Sequence, residues 1–460
     1  MFNIDFSDKS LKFHFIGIGG ISMSGLAELL LSEGFRVSGS DMQESDLTGY
    51  LKKKGAEIFT PQSAGNIGDD IDIVVYTAAI HDDNPELLEV RRRKLPEMTR
   101  AVFLGEIMKR YKTSIAVAGT HGKTTTTAML SEILLKAGTD PTLSVGGMLP
   151  SIGGNFRIGS GDIFVTEACE YTNSFLSFHP TLGIILNVDA DHLDFFKDIN
   201  DIRDSFRKFA ELLPPAGALV INSETFGYRE IIKDLPCKVI TFGMEDKEGF
   251  HPSDISFSDR GLPSFTIYNG SSPLGEVHLS INGTHNILNA CAAAAAAFSE
   301  GVPESVIAEA LSGYKGTERR FEHKGFYKGV EVIDDYAHHP SEIRASLKAA
   351  REYSKGKIWC VFQPHTFSRT KALLHEFAEA LSSADEVVLA DIYPARETDD
   401  LGISSEDVAH EIRALGREAS YFDSFEKIEK YLSEKCIHGD LLITMGAGDV
   451  YKIGDSLLKS

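Results

Sequence analysis

Three stretches of the chain share one pattern. A short run of β-branched and aromatic residues is followed by a turn rich in glycine or proline, then by apolar positions spaced for a helix. Residues 11–16 lead into Gly17-Ile18-Gly19-Gly20 and a helical pattern reaching about Ser32. Residues 114–118 lead into Gly119-Thr120-His121-Gly122 and a helix over 125–137, and residues 357–362 into Gln363-Pro364-His365 and a helix over 368–382. Further strand-like runs fall at 73–76, 163–166, 182–187, 386–389 and 441–445. Strands alternating with helices predict an α/β architecture of parallel sheets, with ligand loops at the strand C-termini. The basic stretch 109–112 and the polar stretch 313–320 are candidate boundaries, dividing the chain into domains over 1–111, 112–316 and 317–460. The alanines 292–297 sit in an apolar run that reads as a packed helix. That run is far shorter than the ~18 residues a membrane span needs.

At 460 residues the chain is too long for one ordinary core, which agrees with several domains. Its formal net charge of −21 bears on partners. It argues against nucleic acid and against an anionic membrane surface, because phosphate backbones and acidic headgroups are held by clustered Lys and Arg. Local basic pockets for a phosphorylated small molecule remain compatible with it. The first 15 residues lack the basic-then-apolar order of a secretory signal. Cys169, Cys237, Cys291, Cys360 and Cys436 are scattered with no C-x-x-C pair, so reduced thiols in a cytoplasmic protein are expected.

The chemistry concentrates at strand ends. Gly119-Thr120-His121-Gly122-Lys123-Thr124 closes a strand and opens a helix whose next residue is Thr125. Glycines there let backbone N–H groups converge on phosphate oxygens, Lys123 can reach the β- and γ-phosphates, and the Thr124 hydroxyl can ligate Mg²⁺. The loop is shorter than the usual Walker A spacing. Two later strand ends supply hard ligands for the metal: Glu167 with Glu170, and Asn187, Asp189, Asp191, His192 and Asp194. Any one of these acids taken alone could instead favour a helix start. The N-terminal glycines fit a dinucleotide fingerprint imperfectly, because Ser22 stands where glycine is wanted, so another nucleotide or diphosphate suits them better than NAD. Asp41 suits a ribose contact or a cap. The late sets 334–340, 363–369 and 445–449 bring Asp335, His338, His339, His365 and Arg369 to strand ends. The doubled histidine has no third His or Cys at ligand spacing nearby, which disfavours zinc. Charged loops of this kind suit a small zwitterion.

Together these residues resemble the Mur ligases of bacterial peptidoglycan synthesis over essentially the whole chain. The carriers are 17–25, 119–126, Glu167-Ala168-Cys169-Glu170, Asp191-His192-Leu193-Asp194, Gly283-Thr284-His285-Asn286 with Asn289, 316–321 and the three late loops. The resemblance implies an N-terminal Rossmann-like domain, a central P-loop-type ATPase domain and a C-terminal Rossmann-like domain. It implies a monomeric or weakly dimeric ligase that uses ATP and Mg²⁺ to join UDP-N-acetylmuramate and L-alanine through an acyl phosphate. Carried over by position, Gly119, Thr120, His121, Gly122, Lys123, Thr124, Thr125, Asn286, Asn289 and Arg320 serve ATP. Thr124, Glu167 and His192 serve the metal. Gly17, Gly19, Gly20, Asp41, Thr77 and Ala78 hold the UDP-sugar, and His338, His365 and Arg369 the amino acid. Lys123, His192, His338 and His365 are the catalytic candidates.

Cys169 and Thr366 depart from the family pattern, where many relatives carry aspartate and arginine. Several Mur ligases use a carbamylated lysine to bridge a second Mg²⁺, and whether a lysine near 206–208 takes that part is left open by the sequence. Two other activities compete: a recycling ligase that attaches a tripeptide to the same UDP-sugar, and a nucleotide-dependent oxidoreductase built on the N-terminal glycines. The doubled histidine and 316–321 favour L-alanine over the tripeptide.

Overall fold

The computed structural model describes residues 4–192, 195–395, 397 and 399–460, so Leu193 and the candidate Asp194 lie outside the described residues. The near-continuous apolar runs form three sheets that are parallel but for edge strands and a late ribbon, as expected for strands buried on both faces. In the first sheet β1 (Lys12–Ile16), β2 (Arg36–Ser40), β3 (Glu57–Phe59), β4 (Ile73–Tyr76) and β5 (Glu97–Thr99) are ordered β3-β2-β1-β4-β5, all parallel. Growth reverses between β1 and β4, so the loops after those two strands flank a switch-point crevice.

The second sheet contains β6 (Thr113–Ala118), β7 (Thr142–Leu149), β8 (Gly154–Arg157), β9 (Ile163–Ala168), β10 (Leu182–Ile185), β11 (Ala218–Asn222) and β12 (Lys238–Phe242). Their order is β12-β11-β10-β6-β9-β7-β8, with only β8 antiparallel to its neighbour β7. β6 therefore lies between β9 and β10, and its exit loop lies between theirs. A ribbon of β13 (Phe250–Phe257), β14 (Pro263–Asn269) and β15 (Ser272–His278) follows, then the helix His285–Ser299, whose alanines 292–297 are fully buried.

The third sheet has β16 (Glu322–Tyr327), β17 (Val330–Asp335), β18 (Ile358–Phe362), β19 (Glu386–Leu389), β20 (Glu418–Tyr421) and β21 (Leu441–Met445) in the order β16-β17-β21-β18-β19-β20. β16 is antiparallel to β17, and the rest are parallel. Asp335, Met445 and Phe362 are register partners, so three chemistry-bearing loops leave the sheet side by side.

The chain forms two compact units. One holds residues up to 251 with 268–272 and 289–310, and the other 252–267, 273–288 and 311–460. In the first unit one apolar cluster runs from Phe13, Phe15 and Phe103 of the first sheet to Phe164, Phe175 and Phe206 of the second. Gly105 permits the approach, since a Cβ there would stand 2.0 Å from the Ser177 carbonyl oxygen. The loops of the first two sheets thus belong to one packed body. The second unit buries separate apolar clusters, one around Phe362 and Phe377 and one around Trp359 and Leu442. Among the described residues no helix is long and apolar enough to cross a membrane.

Several element ends differ from the sequence expectation for tertiary reasons. The strand expected over 163–166 continues to Ala168, because Glu167 and Ala168 pair with Val117 and Ala118 of β6. The run 182–187 is a strand only to Ile185, and the Asn187 side chain turns to the loop after β6. The helix expected over 368–382 is two, Phe367–Ala372 and Leu374–Leu381, broken where Leu373 leaves helical dihedrals (φ −115°, ψ 25°).

Candidate active site

The loop after β6 is shaped by two left-handed glycines, Gly119 (φ +146°) and Gly122 (φ +83°). Both are also sterically required: a Cβ on Gly119 would stand 2.8 Å from Leu186 Cβ, and one on Gly122 would stand 2.6 Å from Asn289 Oδ1. Gly122 precedes the helix Lys123–Lys136 with no side-chain cap, so the first-turn N–H groups and the helix dipole face the loop. Asn187 clamps the loop from β10, accepting from the His121 N–H at 2.8 Å and donating to the His121 carbonyl at 3.0 Å. The Thr120 Oγ1 accepts from the Asp189 N–H at 2.9 Å.

Lys123 donates to the carbonyls of Gly119 (2.5 Å) and Thr120 (3.1 Å) and to Glu170 Oε2 (3.1 Å). Burial is the largest influence and would lower the ammonium pKa, but Glu170, itself only 2 % exposed, together with Cys169 and Glu167 outweighs it and raises the pKa. Lys123 is therefore cationic and folded back on its own loop. Thr124 Oγ1 donates to Glu167 Oε2 at 3.1 Å, and Glu167 Oε1 accepts from the Gly146 N–H at 2.5 Å. A Cβ on Gly146 would collide with that carboxylate at 2.5 Å. Thr125 sits half-buried in the same first turn. His192, at φ +53°, lies 3.9 Å from Glu170 Oε1 and against the Tyr171 ring (centroids 4.6 Å). Of the expected metal residues, Thr124 and Glu167 meet directly, and His192 faces Glu170. Among the described residues no three His, Cys, Asp or Glu side chains form a metal-binding group. Lys208 is exposed on the helix Ile199–Ala210.

Around the first sheet's crevice, Gly17 (φ +83°) and Ile18 donate to the Ser40 carbonyl at 2.8 and 2.9 Å. Gly19 N–H donates to Asp41 Oδ2 at 2.9 Å, so Asp41 holds the loop itself. Gly20 precedes the helix Ile21–Ser32 without a side-chain cap. Thr77, after β4, packs on Gly17, where a Cβ would stand 2.9 Å from its methyl, and Ala78 is exposed beside it.

In the second unit, Asp335 accepts from the N–H groups of Ala337 (2.7 Å) and Phe321 (3.1 Å). Burial pushes its carboxyl up to about 6 against the opposing pull of Arg320. Arg320 stacks on the Tyr336 ring at 5.3 Å. Asn286 is buried and donates to the Asn282 carbonyl at 2.6 Å. His338 and His365 have ring centroids 5.9 Å apart, and Arg369 Nη1 stands 3.5 Å from His365 Nδ1. Burial lowers both histidines, His365 to about 4, with His338 and Arg369 adding to the effect. His339, by contrast, caps the helix Pro340–Tyr353, so only the first of the doubled histidines faces His365. The His365 ring signals should titrate near pH 4 by NMR, below the ordinary His midpoint of about 6.5. Because its folded pKa is depressed, its contribution to stability is complete above about pH 6.5 and is lost as pH falls toward 4.

Family models described as Mur ligase family catalytic domain, Mur ligase middle domain and Mur ligase glutamate ligase domain match residues 12–112, 117–297 and 319–448. The chain belongs to the Mur ligase family. A UDP-N-acetylmuramate–L-alanine ligase of Lachnospira eligens is 57% identical over 460 residues, covering 100% of both chains. Among solved structures, the UDP-N-acetylmuramate–alanine ligase of Thermotoga maritima matches with TM-score 0.81 at 32% identity, covering 98% of each chain. A murein peptide ligase from Psychrobacter arcticus matches with TM-score 0.74 at 25% identity, also over 98% of each. The three sheets are the three domains of this Mur ligase architecture.

Three contacts near these loops carry no local sequence signal. The Lys123–Glu170 pair spans 47 positions, and Gly146 meets Glu167 across 21. Arg100, which reaches the N-terminal glycine helix, is preceded only by an ordinary cap, Thr99.

Proposed function

We propose that this enzyme joins L-alanine to the carboxylate of UDP-N-acetylmuramate with cleavage of ATP to ADP and phosphate, in peptidoglycan precursor synthesis. The observation that carries the chemistry is the loop after β6, where Lys123 and the Thr124–Glu167 pair stand at an uncapped helix N-terminus. The full-length relationship to the L. eligens enzyme supports L-alanine as the amine. A carboxylate is a poor electrophile. Transfer of the γ-phosphoryl group onto a carboxylate oxygen makes an acyl phosphate, and the alanine nitrogen then attacks the acyl carbon and expels phosphate.

The family is ATP-dependent. Gly119, Thr120, His121, Gly122, Lys123, Thr124 and Thr125, with Asn286, Asn289 and Arg320, are the proposed ATP residues. Lys123 offsets charge that develops on the phosphoryl oxygens. The hydroxyl of Thr124 and the carboxylate of Glu167 are hard oxygen donors that fit Mg²⁺, with His192 as a further candidate. Bound there, the ion supplies charge neutralisation at the phosphates. Gly17, Gly19, Gly20, Asp41, Thr77 and Ala78 are the proposed UDP-sugar residues. Arg369, with the neutral His338 and His365, would receive L-alanine, and a neutral imidazole can take the proton its ammonium must lose. ATP and a UDP-linked substrate, with five free cysteines, suit a cytoplasmic setting.

Phosphate release should require UDP-N-acetylmuramate and should be supported by L-alanine rather than by the tripeptide that a recycling ligase uses. Turnover with the tripeptide alone would overturn the choice of amine. NAD(P)H absorbance changes without phosphate release would instead support the oxidoreductase.

A further inference from the structure

Arg100 opens the helix Arg100–Met108 directly after β5. Its Nη1 donates to Ser22 Oγ at 3.1 Å, and Ser22 is the second residue of the helix that follows the N-terminal glycines. The helix that it opens packs through Gly105 against Ser177, in the segment that follows Glu167 and Glu170. Arg100 is thus bonded to the helix after the glycine loop while its own helix packs on the segment after Glu170, within one packed body.

No carboxylate pairs with Arg100 among the described residues, and burial lowers its pKa with only the Cys169 thiol opposing. The other arginines of this domain behave differently: Arg36, Arg91, Arg92, Arg93 and Arg110 all hold Asp or Glu. A desolvated guanidinium facing only a hydroxyl is costly unless an anion completes it, and its planar fork suits a carboxylate or a phosphate.

We propose that Arg100 is a positioning residue that takes an anionic group of the nucleotide-sugar, where that substrate passes from the glycine loop toward Glu167 and Lys123. The proposal rests on the reading that the enzyme binds UDP-N-acetylmuramate. Two groups of that substrate share the required chemistry, the diphosphate and the carboxylate to be activated.

Calorimetric titration of wild type and R100A with UDP-N-acetylmuramate, UDP-N-acetylglucosamine (which lacks the carboxylate) and ATP tests it. R100A should bind UDP-N-acetylmuramate at least ~10-fold more weakly, as loss of a charge-assisted contact gives, with ATP affinity unchanged. In turnover its KM for UDP-N-acetylmuramate should rise while that for ATP does not. An equal loss for both UDP-sugars identifies the diphosphate as the anion, and a loss confined to UDP-N-acetylmuramate identifies the carboxylate. R100Q, which keeps a donor for Ser22 without the charge, gives the same readout if R100A does not fold. Unchanged affinity for UDP-N-acetylmuramate in a folded, ATP-binding variant overturns the assignment to Arg100 alone. Failure of the wild type to bind UDP-N-acetylmuramate would overturn the functional reading, and this proposal with it.

Discussion

Lys123→Ala is expected to lower ATP-dependent amide formation by on the order of 10³-fold, the scale for removing one preorganised charge from a reacting oxyanion. The variant also leaves Glu170 buried without its cation, since the two are 3.1 Å apart and Glu170 is 2 % exposed. A stability loss of about 3 kcal/mol in denaturant unfolding should therefore accompany the loss of activity. Lys123→Ala with Glu170→Gln separates the two effects. The double variant should regain most of the stability, because an amide is buried at lower cost than a carboxylate, yet remain inactive. Near-normal turnover in either variant would contradict the role given to Lys123. Lys123 donates to Gly119, Thr120 and Glu170, so contact with ATP phosphates would exchange some of those bonds.

Glu167→Gln should produce the second large effect, a fall in kcat of about 10²-fold or more, with a rise in the Mg²⁺ concentration giving half-maximal rate. Both carboxylate oxygens are committed, one to the Thr124 hydroxyl and one to the Gly146 N–H. A carboxamide presents a donor to one of those two donors, so it misaligns Thr124 as well as removing charge. An unchanged Mg²⁺ dependence with reduced kcat would assign Glu167 to holding the loop and remove it from the metal set.

Much of the architecture was legible in the chain. The runs 11–16, 114–118 and 357–362 lie within or at one residue of strands, and the glycine loops follow them, because a buried parallel strand needs a continuous apolar run. The family was legible too, in motifs spread from Gly17 to Asp449. What escaped was set by tertiary contact. The break at Leu373 lies in a segment whose periodicity fits one helix. The bond that Asp41 accepts from the Gly19 N–H depends on the pairing of β1 with β2, which no local spacing announces. The doubled histidine looked like one feature, but a capping geometry takes His339 while His338 turns to His365. Glu170, a candidate acid for the metal, also pairs with Lys123. Such pairings depend on which strand ends adjoin, and strand order is written in no local spacing.

Activation of the sugar's carboxylate by ATP, proposed to take place at the Lys123 loop, can be followed by isotope transfer. UDP-N-acetylmuramate carrying ¹⁸O in that carboxylate, turned over with ATP and L-alanine, should release phosphate containing one labelled oxygen, because the bridging oxygen of the acyl phosphate leaves with the phosphorus. Release of wholly unlabelled phosphate alongside amide product would contradict carboxylate phosphorylation at this site.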